Sequence, residues 1–176
     1  VTVTANRSGN NKYITGIEVK NGDTVVATVA PNGVSGTVTF TAGDGQAYTV
    51  NVTTADAIVL SGTGINYNTS MSAAQAEEAI KALVTSVAGT TPGEMSVKYY
   101  ANYRWHNLDE SGDGALGVGA YSFGDAASEK IQITCGNYTW EGDISLADTR
   151  DDAVINLNNN VRVQYYTKED AATTEA

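Results

Sequence analysis

Between Lys12 and Thr53, apolar and polar residues alternate in four runs, KYITGIEV, TVVATVA, SGTVTFTA and QAYTVNVTT. The separators are NGD starting at Asn21, PNG from Pro31 to Gly33 and GDG from Gly43 to Gly45. Asn and Gly accept positive φ, so such pieces between alternating runs predict chain reversals, and residues 1–54 read as a β-meander. Within it Val38 and Phe40, then Tyr48, Val50 and Val52, fall at period two, while Thr37, Thr39 and Thr41 line the other side. This pattern predicts a sheet with one buried and one wet face.

From Ser72 the period changes. Ala76, Ile80, Leu83, Val84 and Val87 form one apolar stripe at helical spacing, which predicts an amphipathic helix over residues 72–88. Ser72 is placed to cap it with Gln75 three residues on, Met71 to staple against Ala76, and Gly89 to end it. Strand alternation then returns in MSVKYYANYRW, where Val97, Tyr99, Ala101, Tyr103 and Trp105 share one side. It continues in LGVGAYSF, EKIQITC, NYTWEG, DAVINL and NVRVQYYTK. The expected fold is mainly β, an antiparallel β-sandwich or barrel of about ten short strands with one amphipathic helix. The expected organisation is a single domain over residues 1–176, with the meander at 1–54, the helix and a second β-region at 55–168, and a polar tail at 169–176.

Composition narrows the partners. The formal net charge is −10 with a pI near 4.3. Binders of nucleic acid cluster Lys and Arg to displace counterions, so sequence-specific nucleic-acid recognition is disfavoured, as is adhesion to an anionic membrane. No apolar run approaches the roughly 20 residues of a membrane span. The single cysteine, Cys135, cannot form an internal disulfide. The chain opens with the strand-like VTVTAN instead of a basic and then apolar leader, and its surface is rich in Thr, Asn, Gly and Tyr. Together these lead us to expect an extracellular or cell-surface location after removal of a leader, with a virion as the alternative.

Candidate chemistry centres on HNLDESGDGALG, His106 to Gly117. Asp109, Ser111 and Asp113 occupy alternate positions before Gly114, with Leu116 following, and this short stretch resembles the EF-hand calcium loop. Position 12 of that loop needs a bidentate acid and falls on Ala120, and the flanks read as strands. Glu110 or Asp125 would have to complete the site, and a calcium ion there would be a staple; the competing reading is a polar hairpin loop. No cofactor is required by any other motif.

Nucleophilic catalysis finds little support. His106 is the sole histidine and reads as a surface or strand-end residue, no GxSxG elbow is present, and Cys135 alternates with Ile131 and Ile133 on a core face. One His and one Cys cannot furnish a zinc site. Glu141 with Asp143, or Asp151 with Asp152, are the carboxylate pairs a glycosidase would need, although adjacent strand residues point to opposite faces. Tyr99, Tyr103, Trp105 and Trp140 read either as a sugar-stacking platform or as cross-strand core or interface pairs. SGTGIN lacks the lysine of a phosphate-binding loop, and four Asn-X-Ser/Thr triplets, at Asn6, Asn51, Asn68 and Asn137, arise readily by chance in so Asn- and Thr-rich a chain.

These readings converge on a non-enzymatic, self-assembling structural subunit of an extracellular filament, pilus or surface layer. Its partners are copies of itself. The expected assembly strand is Val1, Thr2, Val3, Thr4 and Ala5, adding to a neighbour's sheet edge. The alternative is a bacteriophage virion protein, a capsid decoration or tail-tube subunit, whose layout this one resembles at the level of fold alone. A third class is a carbohydrate-binding module.

Overall fold

The computed structural model describes residues 1–68, 70–110, 122–124 and 126–148. Among these the fold is mainly β and sandwich-like, with twelve strands and one short helix. The first five strands are β1 (Thr2–Asn6), β2 (Lys12–Asn21), β3 (Thr24–Val29), β4 (Ser35–Thr39) and β5 (Thr49–Asp56). They do not form the expected meander. Only β2 and β3 pair as a consecutive hairpin; β5 returns to the other side of β2, giving the order β3-β2-β5, and β4 pairs antiparallel with β1. Turn residues mark where the chain reverses, but which strand it then meets is decided by burial. Ile14, Ile17, Val19 and Val38 form a buried cluster, with Val3, Ala5, Val29, Phe40 and Tyr48 packed around it. Gly36 lets the layers close, because a Cβ there would stand 2.2 Å from Pro31 Cγ and 3.0 Å from Ile17 Cδ1.

The chain continues through β6 (Ile58–Leu60), β7 (Gly64–Tyr67), α1 (Ala73–Lys81), β8 (Val84–Val87), β9 (Met95–Ala101), β10 (Arg104–Asn107), β11 (Ser128–Cys135) and β12 (Tyr138–Asp148). Five of these form a sheet in the order β10-β9-β11-β12-β7, antiparallel except for the parallel pair β12–β7. Its inner face contributes Val97, Tyr99, Ile131, Ile133 and Ile144 to a second, larger cluster, which Ala76 and Ile80 of α1 and Val84 and Val87 of β8 complete. Asn11 joins the two regions: its side chain accepts from the Ile58 N–H at 2.7 Å and donates to the Ile58 carbonyl at 3.2 Å. Tyr13 meets Tyr138 edge-on at 6.4 Å.

The helix begins as expected and ends early. Ser72 Oγ accepts from the Gln75 N–H and Gln75 Oε1 accepts from the Ser72 N–H, a complete capping box. The helix stops at Lys81 instead of running to Ala88, and Val84–Val87 form a strand against β6. A register shift between Val59 and Leu60 places one extra residue in β8, so Val84 and Val87, three apart, are both buried. Spacing of three on a bulged strand imitates a helical stripe, and β-branched Val and Thr favour the strand.

The run expected as one strand from Met95 to Trp105 is likewise a hairpin. Asn102 and Tyr103 have φ of 48° and 66° and form the two-residue turn between β9 and β10. The turn inverts the alternation, so Trp105 stands opposite Tyr100 on the outer face and His106 opposite Tyr99 on the inner one. The expected strands LGVGAYSF, apart from its end, and DAVINL and NVRVQYYTK lie outside the described residues, as does the polar tail.

Candidate functional site

His106 is no surface residue. It is 2% exposed on β10, with Nδ1 2.7 Å from Glu110 Oε1 and Nε2 2.9 Å from the Ala101 carbonyl oxygen. A carbonyl only accepts, so the hydrogen of that second contact is carried by Nε2. Tyr99 Oη donates to the Glu110 carbonyl at 2.9 Å, and Arg104 lies 3.3 Å from Glu110 Oε1. The histidine therefore fastens the end of the β9–β10 hairpin to the residues that follow it. Both ring nitrogens are engaged within the fold.

This arrangement bears on the calcium reading. Asp109 is exposed, while Ser111 and Asp113, together with Asp125, lie outside the described residues. Glu110, one of the two acids able to complete the loop, is held by His106 and Arg104. Among the described residues no group of three or more His, Cys, Asp or Glu is placed to hold a metal ion. Cys135 is buried on the core face beside Ile131 and Ile133, as its spacing implies. Among the described residues no helix is long and apolar enough to cross a membrane.

The aromatic residues divide between core and surface. Tyr99 is fully buried, and Trp140 packs at the rim of the larger core over Gly142. Trp105 and Tyr100 face each other on the outer surface of the five-stranded sheet with ring centroids 5.1 Å apart. Lys130 of β11 sits over both rings, 5.2 Å from Tyr100 and 5.9 Å from Trp105. Asp143 stands opposite Lys130, and the next row holds Asn107, Lys98, Gln132 and Glu141. Gln132 Nε2 donates to Glu141 Oε2 at 2.9 Å. Tyr103, at the hairpin tip, is 90% exposed. Of the four aromatic residues singled out by spacing, Trp105 lies on this face and Tyr103 in the turn that leads into its strand; Tyr100 and Lys130 are hidden from the spacing by that turn, whose one local sign is Asn102.

Two sheet edges form the other notable region. Thr2–Asn6, covering most of the expected assembly strand, pair within the chain to β4, from Thr2 opposite Thr39 to Asn6 opposite Ser35. Val1 lies beyond the strand, 64% exposed, and its N–H group donates to the Phe40 carbonyl. Among the described residues no strand pairs with the second edge of β1 or of β5. Glu141 and Asp143 lie exposed on β12, and Asp151 and Asp152 fall outside the described residues.

Compared with family models, with curated proteins and with solved structures, the chain finds no match in any of the three.

Proposed function

We propose that the chain is a non-enzymatic structural subunit that assembles with copies of itself into an extracellular filament, pilus or surface layer by strand addition at open sheet edges. The observation that carries this reading is β5. Val50 and Val52 stand opposite Val19 and Ile17, and so share their face of the sheet. Ile17 and Val19 are fully buried there, yet Val50 is 40% and Val52 45% exposed. Strand β5 thus carries core-type side chains beyond the layer that covers its neighbour.

Proteins blunt open edges with charges, prolines or bulges. Neither Thr49–Ala55 nor Val1–Ala5 contains a charged side chain or a proline. The second edge of β1 fits the role of partner, since Val3 and Ala5 follow the same period as Val50 and Val52. Pairing β1 of one copy with β5 of the next would extend main-chain hydrogen bonding while alternate side chains set the register. Two different surfaces meet in such a contact, so it propagates unless it closes into a ring. Each copy carries a net charge of −10, and uncharged edges are where two such copies repel least, so raised salt should favour assembly.

The test is negative-stain electron microscopy with light scattering, across a salt series, on the wild type and on a Val50→Lys, Val52→Lys double variant. Wild type should form regular polymers. The double variant should stay monomeric with a melting temperature close to wild type, because both positions are half-exposed and surface changes shift stability by about 0.5 kcal/mol or less. A wild type that is monodisperse at every salt concentration would sink the reading. Polymers that survive both lysines would remove β5 as the joining edge.

A further inference from the structure

We infer that the outer face of the β10-β9-β11-β12 sheet binds a neutral polysaccharide, with Trp105 and Tyr103 as its principal contacts. This inference is independent of the assembly reading and rests on different residues. It begins with a conformational anomaly. A two-residue hairpin turn with positive φ at both centres favours Asn followed by Gly. Here Asn102 is followed by Tyr103 at φ 66°. A bulky residue held in the left-handed region is strained. Burial returns nothing, because Tyr103 is 90% exposed. A strained aromatic ring offered to solvent is explained by something outside the chain that uses it.

The neighbouring face indicates what that ligand is. One strand pair inward from the turn, Trp105 and Tyr100 lie in edge contact, with Tyr100 37% exposed. The following positions carry Lys130, Asp143, Asn107, Lys98, Gln132 and Glu141, in two rows fixed by strand register. Sugars present two chemistries at once, apolar C–H faces that stack on aromatic rings and hydroxyls that both donate and accept hydrogen bonds. Ammonium, amide and carboxylate groups on strands about 4.8 Å apart supply donors and acceptors at the scale of a single pyranose ring. Lys98 and Lys130 balance Glu141 and Asp143, so this face is locally neutral on a chain of net charge −10. It attracts neither a polyanion nor a polycation, and a protein partner would need a larger desolvated apolar centre than two partly exposed rings provide.

The experiment is native affinity electrophoresis of the full chain in gels containing, one at a time, hydroxyethylcellulose, xyloglucan, galactomannan and soluble β-1,3-glucan. The variants are Tyr103→Gly, Trp105→Ala and the pair combined. At least one polysaccharide should retard the wild type. Each single variant should weaken retention roughly tenfold, as loss of one stacked ring implies. Tyr103→Gly is the decisive variant, because relief of the turn should leave the melting temperature unchanged or raise it while binding falls. Absence of retardation in all four gels overturns the proposal, and so does retention that survives in the double variant. A change of oligomeric state in Tyr103→Gly without any polysaccharide binding would assign the face to contact between copies and overturn it equally.

Discussion

The two hydrophobic clusters differ in more than size. The first has four buried residues, Ile14, Ile17, Val19 and Val38, between a three-stranded sheet and a strand pair. The second is enclosed by a five-stranded sheet, the helix and the β6–β8 pair, and holds large side chains such as Tyr99, Ile131, Ile133 and Ile144 out of water. A fully buried aliphatic side chain contributes about 1.5–3 kcal/mol, so four of them alone fall well short of offsetting the ordering of the strands that surround them. The exposed valines of β5 stand opposite Val19 and Ile17 of the smaller cluster. The region with least core of its own also carries most of the exposed valines, Val1, Val25, Val26, Val50 and Val52, which is the condition under which a neighbouring chain adds most.

The largest effect expected from this contrast is that of Ile17→Ala. Ile17 is fully buried at the centre of the small cluster, in register with Val29 on one side and Val52 on the other. Truncation should cost roughly 2–5 kcal/mol, of which the residual cavity is a part. Amide hydrogen exchange should then show loss of protection across β2, β3 and β5, with β9, β11 and β12 unaffected. Uniform loss over both sets would mean that the clusters unfold as one unit and that the contrast has no energetic content. The same substitution at Ile131 should be felt throughout the five-stranded sheet.

A smaller and more diagnostic pair is Gly36→Ala against Gly142→Ala. Both positions lack room, but for different reasons. The Cβ of the first would meet the ring of Pro31, whose φ is fixed, and Ile17 from the core. The Cβ of the second would meet the far edge of the Trp140 indole, 2.7 Å from Cζ2, and that ring is only partly buried and can swing aside. Gly36→Ala should therefore destabilise by about 1–3 kcal/mol and Gly142→Ala by about 1 kcal/mol or less, read from urea unfolding midpoints. Equal losses would show that the rim of the larger core is as rigid as the inside of the smaller one.

Strand existence was legible in the sequence wherever alternation ran between turn residues, as in Lys12–Asn21 and Ser128–Cys135. The start of the helix was legible because Ser72 and Gln75 act locally. Three features were not. The partners of β1, β4 and β5 follow from burial in three dimensions, which Gly43–Gly45 cannot signal. Val84 and Val87 carry a spacing that helix and bulged strand share, and the bulge exists only once β6 is beside them. Asn102–Tyr103 turn without glycine, so the alternation runs on through the turn in the sequence and places Trp105 on the same side as Tyr99, whereas in the fold it lies on the opposite face. The candidate surfaces inherit these errors. Val50 and Val52 read as core, and Tyr100 and Lys130 were separated from Trp105, because each depends on which strand lies alongside.

The smallest effect belongs to the larger unit and tests whether its advantage lies in the core or at the surface. Lys81 lies 3.2 Å from Glu77 and 3.6 Å from Glu78 on the helix. Burial alone pulls the pKa of Lys81 down, but the hydrogen bond and charge of Glu77, followed by those of Glu78, outweigh it and raise the value above the ordinary 10.5. A raised lysine pKa stabilises the fold fully below the unfolded value, and this contribution is lost as pH rises through the folded one. Lys81→Met should thus cost only about 0.2–0.5 kcal/mol per pair at neutral pH. The deficit should be flat across the neutral range, shrink in strongly alkaline solution, and diminish with added salt. Matched urea titrations of wild type and variant at neutral and strongly alkaline pH would read it. A deficit comparable to that of Ile17→Ala would mean that surface ion pairs carry the helix, and the contrast between the two regions would then rest on charge as much as on buried volume.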